Sequence, residues 1–292
     1  MTTEQRNPKS QEMDDLAVES ILKLMNEEDC RVPVAINEAI PEIVSATEVL
    51  VETWRSGGRW IYVGAGTSGR IAALDAAECP TTFGVPSERV VAVVAGAGKA
   101  AQDMERVEDD REIAIRDLEC QDLGPEDTVV GLTASGHTPY VVSAIQHASD
   151  MGCSTVGICN NPGSELAEIA HIGIEVITGP EVLTGSTRLK AGTSQKLVLN
   201  MLSTAAFTRL GKVYENLMVD VQVTNEKLRS RARRIVCEAS GVGEEDAEEL
   251  LFAAEGSVKL AIVMSKGGCS LDQARTSLEK ANGDTRQALR NT

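Results

Sequence analysis

The sequence predicts an α/β protein, a doubly wound parallel sheet with helices on both faces, followed by a small C-terminal three-helix module. Three observations carry this reading. From Trp60 onward five short runs rich in Val and Ile, at residues 60–63, 90–95, 128–133, 153–159 and 172–177, alternate with helical patterns. These runs are near-continuous in apolar residues, as strands covered on both faces are. The chain has 292 residues, enough for one large α/β domain with an appendage.

Ahead of the first strand, residues 16–25 and 34–54 read as two helices joined through Asn26-Glu27-Glu28-Asp29 and Val32-Pro33. Right-handed crossovers connect the five strands. Beyond the last, residues 189–210 show helical spacing and stop at Gly211, and a further helix is expected through residues 221–236. The character shifts near Gly241-Val242-Gly243. Three short helices follow at 244–254, 258–264 and 271–280, separated by Gly256 and by Lys266-Gly267-Gly268. This tail resembles ubiquitin-associated-type bundles, most closely at Gly283-Asp284-Thr285-Arg286-Gln287-Ala288-Leu289. The expected division is therefore an N-terminal helical segment (1–56), a sheet domain (57–236) and the C-terminal module (237–292), with the first and last in packing roles.

Acidic residues outnumber basic ones 44 to 28, a formal charge of −16, so long-range repulsion argues against nucleic acid and anionic membranes as partners. A small anion is a different matter, because it answers to local amides, hydroxyls and one or two cations. No run of 18 apolar residues exists and residues 1–15 are polar, so neither a membrane span nor a signal peptide is expected, and the cytoplasm is the default. Seven scattered cysteines suit reduced thiols, and three dispersed histidines do not suggest a metal centre. No cofactor and no metal are expected.

Two loops carry the chemistry. Gly64-Ala65-Gly66-Thr67-Ser68-Gly69-Arg70 follows the first strand and opens a helix with the spacing of a dinucleotide fingerprint. The acidic residue that should hold a ribose hydroxyl about 20 positions on is missing, since Val93-Val94-Ala95-Gly96-Ala97-Gly98 offers none. What Gly66, Thr67 and Ser68 do offer is hydroxyls and free amides at a helix N-terminus. The second loop, Thr133-Ala134-Ser135-Gly136-His137-Thr138-Pro139, follows the third strand and again gathers hydroxyls. In a parallel sheet both junctions lie at the carboxyl edge, where they can converge on one phosphate. Helix capping is the competing explanation for either loop alone.

On this alternation the two loops resemble the sugar isomerase (SIS) domain that binds phosphosugars. Longer stretches resemble one family within it, the N-acetylmuramic acid 6-phosphate etherases: Thr3-Glu4-Gln5-Arg6-Asn7-Pro8, the 64–70 loop, Leu74-Asp75-Ala76-Ala77-Glu78-Cys79-Pro80, Ala134-Ser135-Gly136 with Thr138-Pro139-Tyr140, Asn161-Pro162-Gly163-Ser164, Lys190-Ala191-Gly192-Thr193 with Gln195-Lys196-Leu197, and Asn216-Leu217-Met218-Val219-Asp220. The resemblance runs nearly end to end. It departs at His137, where the family pattern carries Arg.

The resemblance implies cleavage of the lactyl ether of N-acetylmuramic acid 6-phosphate by elimination and then hydration, giving N-acetylglucosamine 6-phosphate and D-lactate. It implies Glu78 as proton donor and Glu108 as the second catalytic carboxylate, with Glu105 and Glu112 as alternatives to Glu108. Gly66, Thr67, Ser68, Thr133, Ser135, Gly136 and Thr138 would hold the phosphosugar. Lys190 would pair with the phosphate or the lactyl carboxylate, a solvated lysine being the competing reading. Thr184 and Ser186 are weaker candidates of the same kind; Asn216 and Asp220 read as structural.

Glu78 lies ten residues after Ser68, about 15 Å along a continuous helix. Either the helix breaks early or Glu78 serves a site on a second subunit, so a homodimer with shared active sites is expected. A non-catalytic phosphosugar sensor is the alternative, since relatives include a regulator of a hexokinase-type partner. An aldose-ketose isomerase and a dinucleotide enzyme are further rivals.

Overall fold

Five strands, β1 (Trp60–Gly64), β2 (Val90–Val94), β3 (Thr128–Leu132), β4 (Ser154–Cys159) and β5 (Ile172–Glu175), form one sheet in the order β2-β1-β3-β4-β5, with every neighbouring pair parallel. The computed structural model describes residues 1–98, 106–222 and 226–291. β1 and β3 are buried along their whole length, which is why their sequences are apolar on both faces. Successive side chains still alternate between faces. Ile61 and Val63 join a cluster with Tyr140, Val141 and Ile145 of helix Pro139–Asp150, whereas Trp60 donates its indole N–H to Leu50 O at 2.9 Å.

The expected joint at residues 26–29 is helical. The N-terminal segment folds as three helices, α1 (Val18–Asp29), α2 (Arg31–Glu38) and α3 (Ile40–Arg55), instead of two. Pro33 and Pro41 fall in the first turns of α2 and α3, where their missing N–H would have had no helical partner anyway. The helix after β1, α4 (Gly66–Phe83), runs on with Pro80 inside it. Then come α5 (Arg111–Glu119), α6 (Pro139–Asp150), α7 (Glu165–Ile169) and α8 (Lys190–Arg209).

The chain divides into two units, Met1–Ala76 with Glu88–Ser203, and Ala77–Ser87 with Thr204–Thr292. In the second unit α9 (Glu226–Ser240) shares a buried cluster with α10 (Glu244–Ala253) and α11 (Val258–Gly267). α12 (Leu271–Lys280) and a final helix, α13 (Thr285–Arg290), complete it. The three expected tail helices are thus joined by a fourth, which Asp284 caps by accepting a hydrogen bond from Gln287 N at 2.8 Å. Asp220 has the structural role expected of it: its carboxylate takes Lys259 Nζ at 2.6 Å and Lys212 Nζ at 3.2 Å, and its backbone O would lie 2.2 Å from a Cβ on Gly84.

β1 has β2 on one side and β3 on the other, so the strand order reverses between them. Gly64 and Leu132, the last residues of β1 and β3, are in register. The two hydroxyl-rich loops therefore leave the sheet side by side at its switch point, where open α/β sheets bind their ligands.

Candidate active site

The first loop is shaped by glycines that touch. A Cβ on Gly64 would meet Gly69 N at 2.7 Å, and one on Gly69 would meet Gly64 O at 2.6 Å, so the strand end and the first turn of α4 approach too closely for any side chain. Gly66 opens the helix at φ +52°. Ser68 is buried and Thr67 half-buried, with Thr67 Cγ2 3.4 Å from where a Cβ on Gly192 would stand in the first turn of α8.

The second loop is shaped by its hydroxyls. Thr133 Oγ1 lies 3.1 Å from Ser135 Oγ and 2.7 Å from Thr138 Oγ1, and Ser135 Oγ also accepts from His137 N at 3.1 Å. Thr138 is the N-cap residue of α6 by position, yet its side chain makes no capping bond. Its hydroxyl turns instead to Thr133 and Ser135, so capping does not account for the cluster. Gly136, at φ +77°, is backed by Ser164: a Cβ there would stand 2.3 Å from Ser164 Cβ. His137 is exposed, its Nδ1 3.8 Å from Glu165 Oε2.

Of the acidic candidates, Glu108 reaches the first loop. Its Oε2 is 4.0 Å from the position of a Cβ on Gly66, and its backbone O accepts from Tyr140 N at 3.0 Å, which ties it to the start of α6. Glu112 is exposed on α5 and pairs with Arg116 at 3.1 Å. Glu105 lies outside the described residues. Glu78 is exposed on α4, five residues before its end, and belongs to the second unit. The early helix break that would bring Glu78 back toward its own Ser68 does not occur.

Lys190 is neither solvated nor open to a ligand. Only 1% exposed, its Nζ is 2.6 Å from Glu28 Oε2. Burial works to raise the Glu28 carboxyl, but Lys190, joined by Lys9 and Asn7, outweighs it and brings the pKa down to about 2. A second buried carboxylate, Glu181, accepts from Lys190 N at 3.1 Å and Ala191 N at 2.9 Å, capping α8. The cation expected to meet the substrate instead anchors the N-terminus of α8.

Two further groups escaped the sequence reading. Asp75 is buried beside Lys196 (3.3 Å) and Tyr62 Oη (3.3 Å), and burial holds it above the usual carboxylate range. Asn161, just past β4, is 1% exposed and donates to Ala134 O at 3.0 Å and Ser135 O at 3.3 Å in the second loop. The signal for Asn161 was present: a turn-forming Asn-Pro-Gly at the carboxyl end of a parallel strand.

The glucokinase regulatory protein N-terminal SIS domain matches residues 42–149, the SIS domain 104–205, and the C-terminal lid domain of glucokinase regulatory protein 215–259. An N-acetylmuramic acid 6-phosphate etherase of Geobacillus sp. (strain WCH70) is 50% identical over 290 residues, covering 99% of this chain and 98% of its own. Another from Mycolicibacterium smegmatis is 51% identical over 290 residues, 99% of this chain and 97% of its own. Among solved structures, a phosphoheptose isomerase from Francisella tularensis superposes with a TM-score of 0.52 at 16% identity, covering 66% of this chain and all of that one, a likeness of fold alone.

Proposed function

The chain belongs to the N-acetylmuramic acid 6-phosphate etherase family, and we propose that it cleaves the D-lactyl ether of that phosphosugar, releasing D-lactate and N-acetylglucosamine 6-phosphate. The observation that carries the reading is the Glu108 carboxylate, 4.0 Å from a Cβ position on Gly66 at the mouth of the first hydroxyl-rich loop. A phosphate held between Thr67, Ser68, Thr133, Ser135 and Thr138 would put the sugar within reach of a base.

An ether oxygen is a poor leaving group, so direct displacement is slow. In the open-chain sugar the C1 aldehyde acidifies the C2 proton, and elimination becomes the easier route. Glu108 removes the C2 proton as Glu78 protonates the departing lactyl oxygen at C3. Water then adds at C3 of the resulting double bond, with one carboxylate taking the proton from water and the other returning one to C2. Two carboxyl groups in exchanged roles suffice for both halves.

Glu78 acts, on this reading, in the site of a partner subunit. The unbroken α4 supports that arrangement, because it carries the acid ten residues along the helix from Ser68. Mixing Glu78→Gln protein with Glu108→Gln protein, each inactive alone, restores about a quarter of native activity if sites are shared across a two-fold dimer. No rescue after subunit exchange would place both carboxylates in one chain.

The two family models named for glucokinase regulatory protein favour a second reading, a phosphosugar sensor without chemistry. Incubation with N-acetylmuramic acid 6-phosphate separates the two: an etherase forms D-lactate in step with N-acetylglucosamine 6-phosphate, and a sensor binds the sugar and returns it unchanged. The seven free thiols accord with a reducing compartment, and the cytoplasm is part of the proposal.

A further inference from the structure

Residues 2–7, at the start of the chain, are fastened at two points. At the first, Asn161 Oδ1 accepts from Thr2 N at 2.6 Å, Thr2 Oγ1 at 2.9 Å and Thr3 N at 3.2 Å, while its Nδ2 reaches Thr3 Oγ1 at 3.0 Å. The same Nδ2 serves Ala134 O and Ser135 O. One wholly buried amide thus bonds the first residues of the chain to the backbone of the second phosphate loop. At the second point Asn7 Nδ2 donates to Glu28 Oε2 at 2.9 Å and to Pro180 O at 3.2 Å, joining the buried pair that anchors α8. Thr3 and Asn7 are buried; Glu4, Gln5 and Arg6, between them, are exposed.

We propose that Asn161 is a positioning residue for phosphate recognition and that residues 2–7 form a strap holding the Ser135 loop in its binding shape. The physical reason is the burden on that loop. Its three hydroxyls bond to one another, so nothing within the cluster fixes its height above the sheet, and Gly136 at its centre has a conformation that side chains avoid. The carbonyls of Ala134 and Ser135 both accept from Asn161 Nδ2, and Ala134 O accepts from Asn160 N at 3.1 Å as well. Without the strap the Asn161 Oδ1 would lose the donors Thr2 N, Thr2 Oγ1 and Thr3 N, and the buried amide that ties these carbonyls would turn toward other partners. A shift of about 1 Å in such a group can cost on the order of 100-fold in rate or affinity. The strap acts on binding, because its bonds run to the Ser135 loop and to the buried pair that anchors α8.

The inference rests on the etherase reading for its substrate, but its test does not. Inorganic phosphate is the probe, measured by calorimetry on the full chain, alongside KM and kcat for lactate release. Asn161→Ala is expected to weaken phosphate binding and raise KM together by about 10-fold or more, with kcat within about threefold of native. Asn161→Asp, which loses the donors but keeps the acceptor, should be at least as damaging. Thr3→Val, a milder change that leaves the loop bonds in place, should raise KM by only a few-fold and guards against misfolding of the Asn161 variants. Lower thermal stability with unchanged phosphate affinity in a folded Asn161→Ala or Thr3→Val protein would overturn the proposal. If the native chain binds phosphate and releases no lactate, the etherase reading falls while the phosphate arm still decides the strap.

Discussion

The two loops at the switch point look alike in sequence and are built differently. The first, after β1, is a backbone device: Gly64 and Gly69 pack against each other, Gly66 turns the chain into α4, and the Glu108 carboxylate stands at its mouth. The second, after β3, is a side-chain device: three hydroxyls bond mutually over a glycine pressed against Ser164, and Asn161 braces them from beneath. The difference suggests a division of labour. On the proposed reading the first loop would bring amides and a reacting group, and the second a pre-shaped socket for phosphate oxygens.

The sharpest way to separate the loops is Glu108→Gln. It should lower kcat by about 10²–10⁴ and leave inhibition by inorganic phosphate unchanged; a parallel loss of phosphate affinity would show that the carboxylate serves binding. Next comes a pair of alanine substitutions. At Gly136 a methyl collides with Ser164 at 2.3 Å and φ is +77°, so strain of about 1–2 kcal/mol adds to an overpacking cost of about 1–3. At Gly66 the φ of +52° is also strained, but the nearest atom is 4.0 Å away. Gly136→Ala should therefore raise KM by on the order of 100-fold and Gly66→Ala by about 10-fold, read from steady-state kinetics. Equal effects would mean that backbone strain alone governs both loops.

A third test concerns the buried ion pair that anchors α8. Glu28, with no exposed side-chain surface, titrates near 2 in the fold instead of the ordinary 4.5, so the stability it contributes is complete above pH 4.5 and is lost as pH falls toward 2. Glu28→Gln leaves Lys190 buried without its partner and should cost about 3–5 kcal/mol in urea unfolding at pH 7. The gap between native and variant should narrow as the pH is lowered through that window. The smallest effect is expected at His137. Its ring is exposed and lies 3.8 Å from the Glu165 carboxylate. His137→Arg should lower KM by a few-fold at neutral pH through charge-assisted hydrogen bonding. No change in KM would remove this position from the phosphate site.

What could be read in the sequence was what is local. The five strands announced themselves because burial on both faces leaves a run of Val and Ile, and the loops because glycines and hydroxyls cluster where a strand ends and a helix begins. The separation of α2 from α3 was missed, since Ala39 carries no breaking signal and Pro41 acts from within the first turn. Lys190 was misread for another reason. Its partner, Glu28, lies 162 residues earlier, and nothing near Lys190 distinguishes a buried ion pair from a free cation. Asn161 and Thr3, 158 residues apart, share that fate. Pairings of this kind become visible only once the chain has folded and a polar group has been buried with something to answer it.

The central claim is that two carboxylates carry an elimination and a hydration at a phosphosugar held by both loops. Its most direct test is turnover of N-acetylmuramic acid 6-phosphate in water enriched in heavy oxygen and deuterium, with Glu78→Gln as the control. Heavy oxygen at C3 of the N-acetylglucosamine 6-phosphate, deuterium at C2, unlabelled D-lactate and little turnover by the variant are the predicted result. Heavy oxygen in the lactate, with none in the sugar, would mean displacement at the lactyl carbon and would contradict the account.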